Sequence, residues 1–399
     1  MDDAYRIVTN PLARKTAPDS RTAAFSMPRA AGVRLFHAGC PGYAPTPLVS
    51  LPALAASLGV AAILAKDESF RFGLNAFKVL GASYGVAREL RRRFLPESAD
   101  LSFAMFATPE ARARLEGVTL VTATDGNHGR AVAWTAKQLG LRCMVRMPAG
   151  AAPARVEAIR ALGAQVEVIH GNHNDAVAQA EREAAAHGWL LMQDTSRPGY
   201  ETVPLDIMRG YMTLMEEAAE QWGDAAPPTH VFLQCGVGSM PAAVQAWLVE
   251  KYGASRPATV VVEPHSADCF HRSMRAGGET PVVIGGDMPT LMAGLACGEP
   301  SALAWEILRR HADHFVSCPD EATVRGMRAY ARPLPGDPAV VSGESGAVSL
   351  GVVIHAMTGP AGRGLRDDLR LNAASRVLLL STEGDTCPEI YRKIVDAAD

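Results

Sequence analysis

Short apolar runs rich in β-branched residues alternate with alanine-rich amphipathic segments along most of this 399-residue chain. Segments such as RAVAWTAKQLG and ARVEAIRALG end in Gly, as helices commonly do. The runs that we predict to be buried strands are 61–66, 119–124, 142–148, 165–171, 189–194, 230–235, 259–264 and 376–382. Strand–helix alternation on this scale predicts α/β architecture, with mostly parallel sheets covered by helices.

The length of the chain allows one large or two medium domains. Residues 119–194 contain several compact strand–helix units, which could form a small parallel-sheet domain of their own. We therefore predict a small inserted α/β domain over 85–194 and a large domain over 1–84 plus 195–399. Periodicity alone leaves this division open.

The composition is that of a globular protein, with 48% hydrophobic residues, 20% charged residues and a net charge of -3. No basic excess points to nucleic acid, and no apolar run is long enough to span a bilayer. We expect a cytoplasmic protein that has neither nucleic acid nor a membrane as a partner.

The seven cysteines are dispersed and include no Cys-x-x-Cys pair, a pattern more typical of buried thiols than of a disulfide framework or zinc site. Whether Cys269 and Cys297 pair stays open. His170 and His173 have no carboxylate or cysteine companions that would complete a metal site. We expect them to be solvated surface histidines, and we expect no bound metal.

Lys78 lies in the apolar stretch FGLNAFKVLGASYG, directly after Phe77. A desolvated lysine has a depressed pKa, and a neutral amine is what a Schiff base with a carbonyl cofactor requires. The alternative is a surface lysine whose stem covers apolar neighbours. This stretch alone favours the surface lysine.

The glycine-rich turn GVGSM, residues 236–240, follows a predicted strand and precedes a predicted helix. Exposed backbone amides and a helix N-terminus suit a phosphate group. The turn lacks the GK[ST] of a P-loop, and Pro241 stands where the third Gly of the dinucleotide fingerprint would be. A turn that only connects strand and helix is the alternative.

In TATDGNHGRAVAW, residues 126–129 form a predicted turn at a helix start, where backbone amides favour an anion. Asn127 adds both a donor and an acceptor to this turn. Asp125 precedes it, and a carboxylate at this place indicates either chemistry or N-capping, the commonest role of Asp before a helix.

Two further polar residues end predicted strands. Asp194 ends WLLMQD, where an unpaired carboxylate would cost desolvation energy. We therefore expect Asp194 to have a partner or a functional role, and a purely structural salt bridge is the alternative. Thr382 ends RVLLLST, at the strand end where ligands usually bind in α/β sheets; simple turn chemistry is the alternative.

Taken in chain order, PTPL, Phe77-Lys78, GNHG, GVGSM and Ser-Thr-x-Gly resemble the fold type II enzymes that use pyridoxal 5′-phosphate (PLP), over residues 40 to 395. The resemblance implies two parallel-rich open sheets flanked by helices, as in the tryptophan synthase β fold, with the large domain binding the cofactor. The stretches TATDGNHGRAVAW, TLMAGLACGEPS, SGESGAVS and STEGDT resemble the diaminopropionate ammonia-lyases in particular. Related dehydratases usually have Ser at the position of Asp125.

The resemblance also implies roles for individual residues. Lys78 would form the Schiff base with PLP, Phe77 would lie near its ring, and Asn127 would bond its 3′ oxygen. Thr382 would meet the pyridine nitrogen, where a neutral hydroxyl does not enforce a protonated ring. The residues implied to cradle the phosphate are Gly236, Val237, Gly238, Ser239 and Met240.

The implied activity is α,β-elimination of ammonia from D- and L-2,3-diaminopropionate, which gives pyruvate and two ammonia molecules. Asp125 would be the base for the D form and Asp194 the base for the L form. The alternatives are a serine or threonine dehydratase, which Asp125 in place of Ser disfavours, and a non-catalytic PLP-binding amino-acid sensor, which Lys78 and the two carboxylates disfavour. The implied assembly is a homodimer.

Overall fold

The structure is a computed structural model, which describes residues 4–13, 18–96 and 101–397. Its strands are β1 (Arg6–Thr9), β2 (Leu48–Ser50), β3 (Ala62–Asp67), β4 (Thr119–Ala123), β5 (Arg142–Met147), β6 (Gln165–Val168), β7 (Leu190–Leu191), β8 (His230–Gln234), β9 (Ala258–Pro264), β10 (His314–Cys318) and β11 (Arg376–Ser381). All of the runs predicted from the sequence to be strands contain one, so the predicted α/β class is confirmed.

Helices fill most of the connections between the strands. The α-helices are α1 (Met27–Ala38), α2 (Pro52–Leu58), α3 (Val79–Phe94), α4 (Pro109–Leu115), α5 (Asn127–Leu139), α6 (Pro153–Arg160), α7 (His173–His187), α8 (Thr202–Gly210), α9 (Met212–Trp222), α10 (Ser239–Tyr252), α11 (Cys269–Arg275), α12 (Ala302–His311), α13 (Glu321–Ala331), α14 (Glu344–Met357), α15 (Arg363–Leu369) and α16 (Pro388–Val395). Short 3-10 helices lie at Thr22–Phe25, Glu68–Gly73, Phe103–Ala107, Gly253–Ser255, His265–Ala267 and Ala293–Leu295.

The chain folds into two compact units. Unit 1 comprises Met1–Met27, Thr46–Phe70 and Leu214–Asp399, and unit 2 comprises Pro28–Pro45 and Arg71–Thr213. These bounds differ from those of the predicted domains, since the segment that carries Lys78 belongs to unit 2. The predicted division into a large and an inserted domain stays a prediction.

Unit 1 is built on a seven-stranded sheet in the order β1-β10-β9-β8-β11-β3-β2. Its five central strands are parallel, and the edge strands β1 and β2 pair antiparallel. From β8 the chain proceeds to β9 and β10 on one side, while β11 lies on the other side of β8. Ligands bind in open α/β sheets at the carboxyl ends of strands flanking such a reversal, so the β8–β11 edge is the expected binding region of unit 1.

The parallel strands of unit 1 are apolar because both sheet faces are covered by helices. Val260, Val316 and Leu379, from three neighbouring parts of the sheet, are fully buried. They share one core cluster with Met327 of α13 and Val348 of α14. This core holds the ends of β8 and β11 in fixed positions.

Unit 2 is built on a four-stranded, wholly parallel sheet in the order β6-β5-β4-β7. The order reverses between β4 and β7, which makes their carboxyl ends the expected binding region of this unit. Gly129 in the first turn of α5 is required for packing, because a Cβ there would overlap the Thr124 side chain and lie 3.0 Å from Cγ1 of Val145. The start of α5 therefore lies directly on the sheet.

None of the helices among the described residues combines the length and the apolar character that crossing a bilayer demands.

Candidate active site

The reversal point of unit 2 carries two carboxylates. Asp125 follows β4 and Asp194 follows β7, the two strands between which the order reverses. Nζ of Lys78, the residue before α3, lies 2.7 Å from Oδ2 of Asp194. The expected partner of Asp194 is thus Lys78, whose side chain is only 23% exposed, and the surface-lysine alternative is wrong.

Asp194 is buried and remains ionised because of its cationic neighbour. Burial, the largest single influence, would raise the pKa of Asp194, but the charge and hydrogen bond of Lys78 together with the neighbouring histidines outweigh it. The positive charges of His128 and His173, when protonated, act in the same direction. The pKa of Asp194 is therefore held well below its usual range, and the group is a carboxylate at neutral pH.

His128, within the GNHG turn, lies beside the Lys78–Asp194 pair. Its Nε2 lies 2.8 Å from the carbonyl oxygen of Met192 and must donate to it, because a carbonyl only accepts. Burial lowers the pKa of His128 despite the opposing charge of Asp194. The neutral ring then turns an unprotonated Nδ1 toward Oδ2 of Asp194, 3.7 Å away.

Asp125 is not a helix cap. The N-cap of α5 is Gly126, and no side chain caps that helix. The Asp125 side chain is 43% exposed, and its Oδ2 lies 2.8 Å from Nδ1 of His173 at the start of α7. The N-capping interpretation of Asp125 is therefore wrong, and so is the interpretation of His173 as a purely solvated histidine.

Phe77 and Asn127 lie in the same unit as the two carboxylates. The ring of Phe77 packs on Tyr211, with 4.9 Å between ring centroids, and Nζ of Lys78 lies 5.9 Å from the Phe77 ring centre. Asn127 is the first residue of α5 and is half-buried. Phe77 therefore presents a fixed apolar surface beside the Lys78 amine.

In unit 1 the turn 236–240 follows β8 and begins α10. Gly238 is the N-cap with a φ of 94°, a left-handed conformation that favours glycine. A Cβ at Gly238 would overlap the Phe270 ring, and one at Gly236 would lie 3.0 Å from the carbonyl oxygen of Gly294. The turn thus places backbone amides without intervening side chains at Gly236 and Gly238, at the start of a 14-residue helix, an arrangement that fits a phosphate.

Thr382, just after β11, has its hydroxyl orientation fixed by Gln234 at the end of β8. Nε2 of Gln234 donates to the carbonyl oxygen of Leu380 at 2.7 Å and to Oγ1 of Thr382 at 2.8 Å. Ser349 donates to the other amide atom, Oε1, at 3.3 Å. Thr382 must therefore accept from Gln234, which leaves the hydrogen of its own hydroxyl for donation to another acceptor.

The predicted site residues thus fall into two groups. Unit 2 carries the chemical groups, Lys78, Asp125, Asn127 and Asp194, while unit 1 carries the turn 236–240 and Thr382. The sequence interpretation missed three polar residues that contact these groups: His128, His173 and Gln234. Gln234 ends β8 and His173 follows β6, so the strand-end rule applied to every strand would have found both.

The described residues contain no group of three or more His, Cys, Asp or Glu side chains that could hold a metal ion. All seven cysteines are free thiols. Sγ of Cys269 lies 3.5 Å from the carbonyl oxygen of Cys297.

Comparisons with known proteins show the family to which the chain belongs. The family model described as pyridoxal-phosphate dependent enzyme matches residues 40–380. The chain is 47% identical over 366 residues to the diaminopropionate ammonia-lyase of Salmonella typhimurium, with 91% of each chain covered. The crystal structure of the Escherichia coli diaminopropionate ammonia-lyase in complex with D-serine gives a TM-score of 0.91 at 43% identity, covering 98% of this chain and 96% of that one. The same enzyme in complex with an aminoacrylate–PLP azomethine reaction intermediate gives a TM-score of 0.87 at 42% identity and the same coverage.

Proposed function

Because this chain belongs to the pyridoxal-phosphate dependent enzymes, and among them to the diaminopropionate ammonia-lyases, we propose that it eliminates ammonia from 2,3-diaminopropionate. The fold is that of the fold type II enzymes. The products are pyruvate and two ammonia molecules. The observation that carries the proposal is the set of an amine and two carboxylates, Lys78, Asp125 and Asp194, at the strand-order reversal of unit 2.

We propose that the residues predicted to hold PLP do so. Lys78 would bond covalently to its aldehyde carbon, beside Phe77, and Asn127 would bond its ring oxygen. The backbone amides of 236–240 would hold its phosphate, and Thr382 would donate to its pyridine nitrogen. When bound, the cofactor supplies an electron sink for the pair of electrons left on Cα after loss of its proton.

Proton transfer would be the task of the two carboxylates. Asp125 would take the Cα proton of the D form and Asp194 that of the L form. The Cβ ammonium group then leaves as ammonia with the electrons of its bond to carbon. The three-carbon enamine that remains reacts with water, which gives pyruvate and the second ammonia.

The Lys78–Asp194 pair supports the assignment of Asp125 and Asp194 to different enantiomers. While Lys78 is an ammonium, it keeps Asp194 ionised at 2.7 Å. Asp194 would serve as the base when the Lys78 amine no longer holds its carboxylate. Asp125 is more exposed and pairs with a different side chain, His173, so the two carboxylates are chemically distinct.

We also propose a homodimer in the cytoplasm, as the resemblance implies. Size-exclusion chromatography with light scattering checks the dimer, which should have twice the mass of the chain.

The direct test uses the purified PLP-loaded enzyme with D-diaminopropionate, L-diaminopropionate and L-serine in parallel. Pyruvate and ammonia are measured together. We expect two ammonia molecules per pyruvate from diaminopropionate and slow turnover of serine, with the Lys78→Ala variant inactive. Brisk serine turnover with diaminopropionate inert would instead show a dehydratase.

A further inference from the structure

His173 is the ion-pair partner of Asp125. The two atoms, Nδ1 and Oδ2, are 2.8 Å apart, and among the described residues Asp125 has no second ion-pair partner. The Nδ1 atom itself is buried, whereas the His173 side chain as a whole is 37% exposed. One ring nitrogen thus faces the carboxylate, and the remainder of the ring reaches solvent.

The backbone at His173 is held by a capping box. The side chain of Asn172 accepts from the amide of Asp175 at 3.1 Å, and the side chain of Asp175 accepts from the amide of Asn172 at 2.9 Å. Gly171 makes room for this exchange, since a Cβ there would lie 2.5 Å from Oδ2 of Asp175. The start of α7 is therefore fixed, and with it the backbone position from which the His173 side chain extends.

The surroundings of His173 favour its protonated form. Burial lowers the pKa of His173, but the contact with Asp125 and the charges of Asp125 and Asp194 outweigh burial and the opposing charge of Lys78, so the pKa is raised. The charged and titratable groups that act on the ring are Asp125 from the β4–α5 turn, Asp194 after β7, Lys78 before α3 and His128 from α5.

We propose that His173 is a positioning residue for Asp125, which holds the carboxylate in place and receives the proton that Asp125 takes from Cα of the D substrate. This inference rests on the proposed function. The Cα–H bond breaks and its proton goes to Oδ2 of Asp125, while the electron pair stays on the substrate. The proton then passes to Nδ1 of a neutral His173 that carries its own hydrogen on Nε2, and the resulting imidazolium releases the Nε2 proton to solvent. Exchange of the ring protons with solvent restores the Nε2–H tautomer before the next turnover.

The consequence is a difference between the two enantiomers. Turnover of the D form requires a neutral His173, so kcat/KM for the D form rises with pH through the titration of this ring. The pKa of His173 is raised, so the midpoint lies above that of an ordinary histidine. Turnover of the L form uses Asp194 and lacks this step.

The kinetic test compares His173→Asn, which can still donate to Asp125 but cannot titrate, with His173→Phe, which can do neither. His173→Asn should keep most of the D activity and lose the acid-side step in its pH profile. His173→Phe should lose about a hundredfold in kcat/KM for the D form and little for the L form. His170, which is exposed and close by in the chain, provides matched controls as His170→Asn and His170→Phe. Equal losses for both enantiomers in His173→Phe, or an unchanged D profile in both variants, would overturn the proposal.

A second readout does not depend on turnover. Side-chain 1H–15N spectra of the PLP-loaded enzyme follow each histidine with pH, and the signal missing from His173→Asn identifies His173. We expect its midpoint to fall in Asp125→Asn. A midpoint that stays unchanged overturns the coupling, whether or not diaminopropionate is the substrate. If the His173 midpoint falls in Asp125→Asn but the wild-type enzyme is inert toward diaminopropionate, the coupling of His173 to Asp125 stands and the proposed function is rejected.

Discussion

The Nζ atom of Lys78 lies 2.7 Å from Oδ2 of Asp194, so the amine and the carboxylate neutralise each other inside unit 2. Removing one partner from a buried pair leaves the other charge uncompensated, which is more costly than removing an exposed charge. The charge on Lys78 therefore stabilises the ionised form of Asp194, and the charge on Asp194 stabilises the ammonium form of Lys78.

Asp194→Asn should selectively damage the reaction of L-diaminopropionate. We expect kcat/KM for the L form to fall by about two to four orders of magnitude, the usual worth of a general base, with the D form affected far less. A coupled pyruvate assay on both enantiomers measures this. Comparable losses for the two forms would point to a shared role, such as holding Lys78.

Asp125→Asn should give the opposite selectivity. The D form should lose about two to four orders of magnitude in kcat/KM, while the L form keeps its base, Asp194. Asp125→Ser serves as a companion variant, since related dehydratases usually have Ser there. Full activity of Asp125→Ser toward both enantiomers would refute the assignment of Asp125 as a base.

Gln234→Glu should change the protonation of the bound pyridine. A carboxylate at this position accepts from Thr382, so the Thr382 hydroxyl can no longer donate to the cofactor nitrogen. We expect the 15N signal of ring-labelled PLP to move toward the protonated value and kcat to fall about tenfold, as for the loss of one hydrogen bond.

The matched control for Gln234→Glu is Ser349→Ala, which removes only the 3.3 Å contact to Oε1 of Gln234. It should leave the 15N signal in place, and Thr382→Val should abolish the donation altogether. A 15N signal that is the same in Gln234→Glu and wild type would exclude this role of Gln234.

Glu263, in β9, should make stability fall with rising pH. It accepts from the amides of Phe270 and His271, yet burial raises its pKa from 4.5 to about 8. The folded state keeps this proton up to about pH 8, while the unfolded chain releases it near 4.5. The contribution of Glu263 to the free energy of unfolding is therefore complete below the pKa of the unfolded chain. It is lost as pH rises from about 4.5 to about 8.

Urea unfolding at several pH values tests the role of Glu263. The unfolding free energy of wild type should fall relative to Glu263→Gln with a slope of up to about 1.4 kcal/mol per pH unit between the two pKa values. The variant loses one backbone hydrogen bond at every pH, so the slope and not the absolute value is compared. Parallel pH profiles of the two proteins would contradict the raised pKa.

The sheet strands could be predicted because buried parallel strands are apolar on both faces and stand out as continuous runs. The strands missed were β1, β2 and β10. The first two are short antiparallel edge strands, and β10, HFVSC, mixes polar with apolar residues. Such segments gain their strand structure from pairing with neighbours, which a local pattern does not contain.

The site was less accessible to prediction, because its contacts depend on strand order. Asp194 could be expected to have a partner, since it ends an apolar run, but the identity of Lys78 follows only from the β4–β7 reversal. The contact of Gln234 with Thr382 spans 148 positions and requires β8 to lie beside β11. His173 looked like a surface residue because no companions in the sequence would complete a site with it, and its partner Asp125, which follows β4, is brought beside it only by the fold.

The wholly parallel sheet of unit 2 has an evolutionary consequence. Its chemical side chains stand on the separate connections that follow the strands at one edge: Asp125 after β4, His173 at the start of α7 after β6, and Asp194 after β7. None of them belongs to the hydrogen-bonded ladder that defines the fold, so each connection can accept substitutions while the sheet stays intact. A descendant of this chain could therefore change which mirror image of a substrate it accepts by altering a single connection.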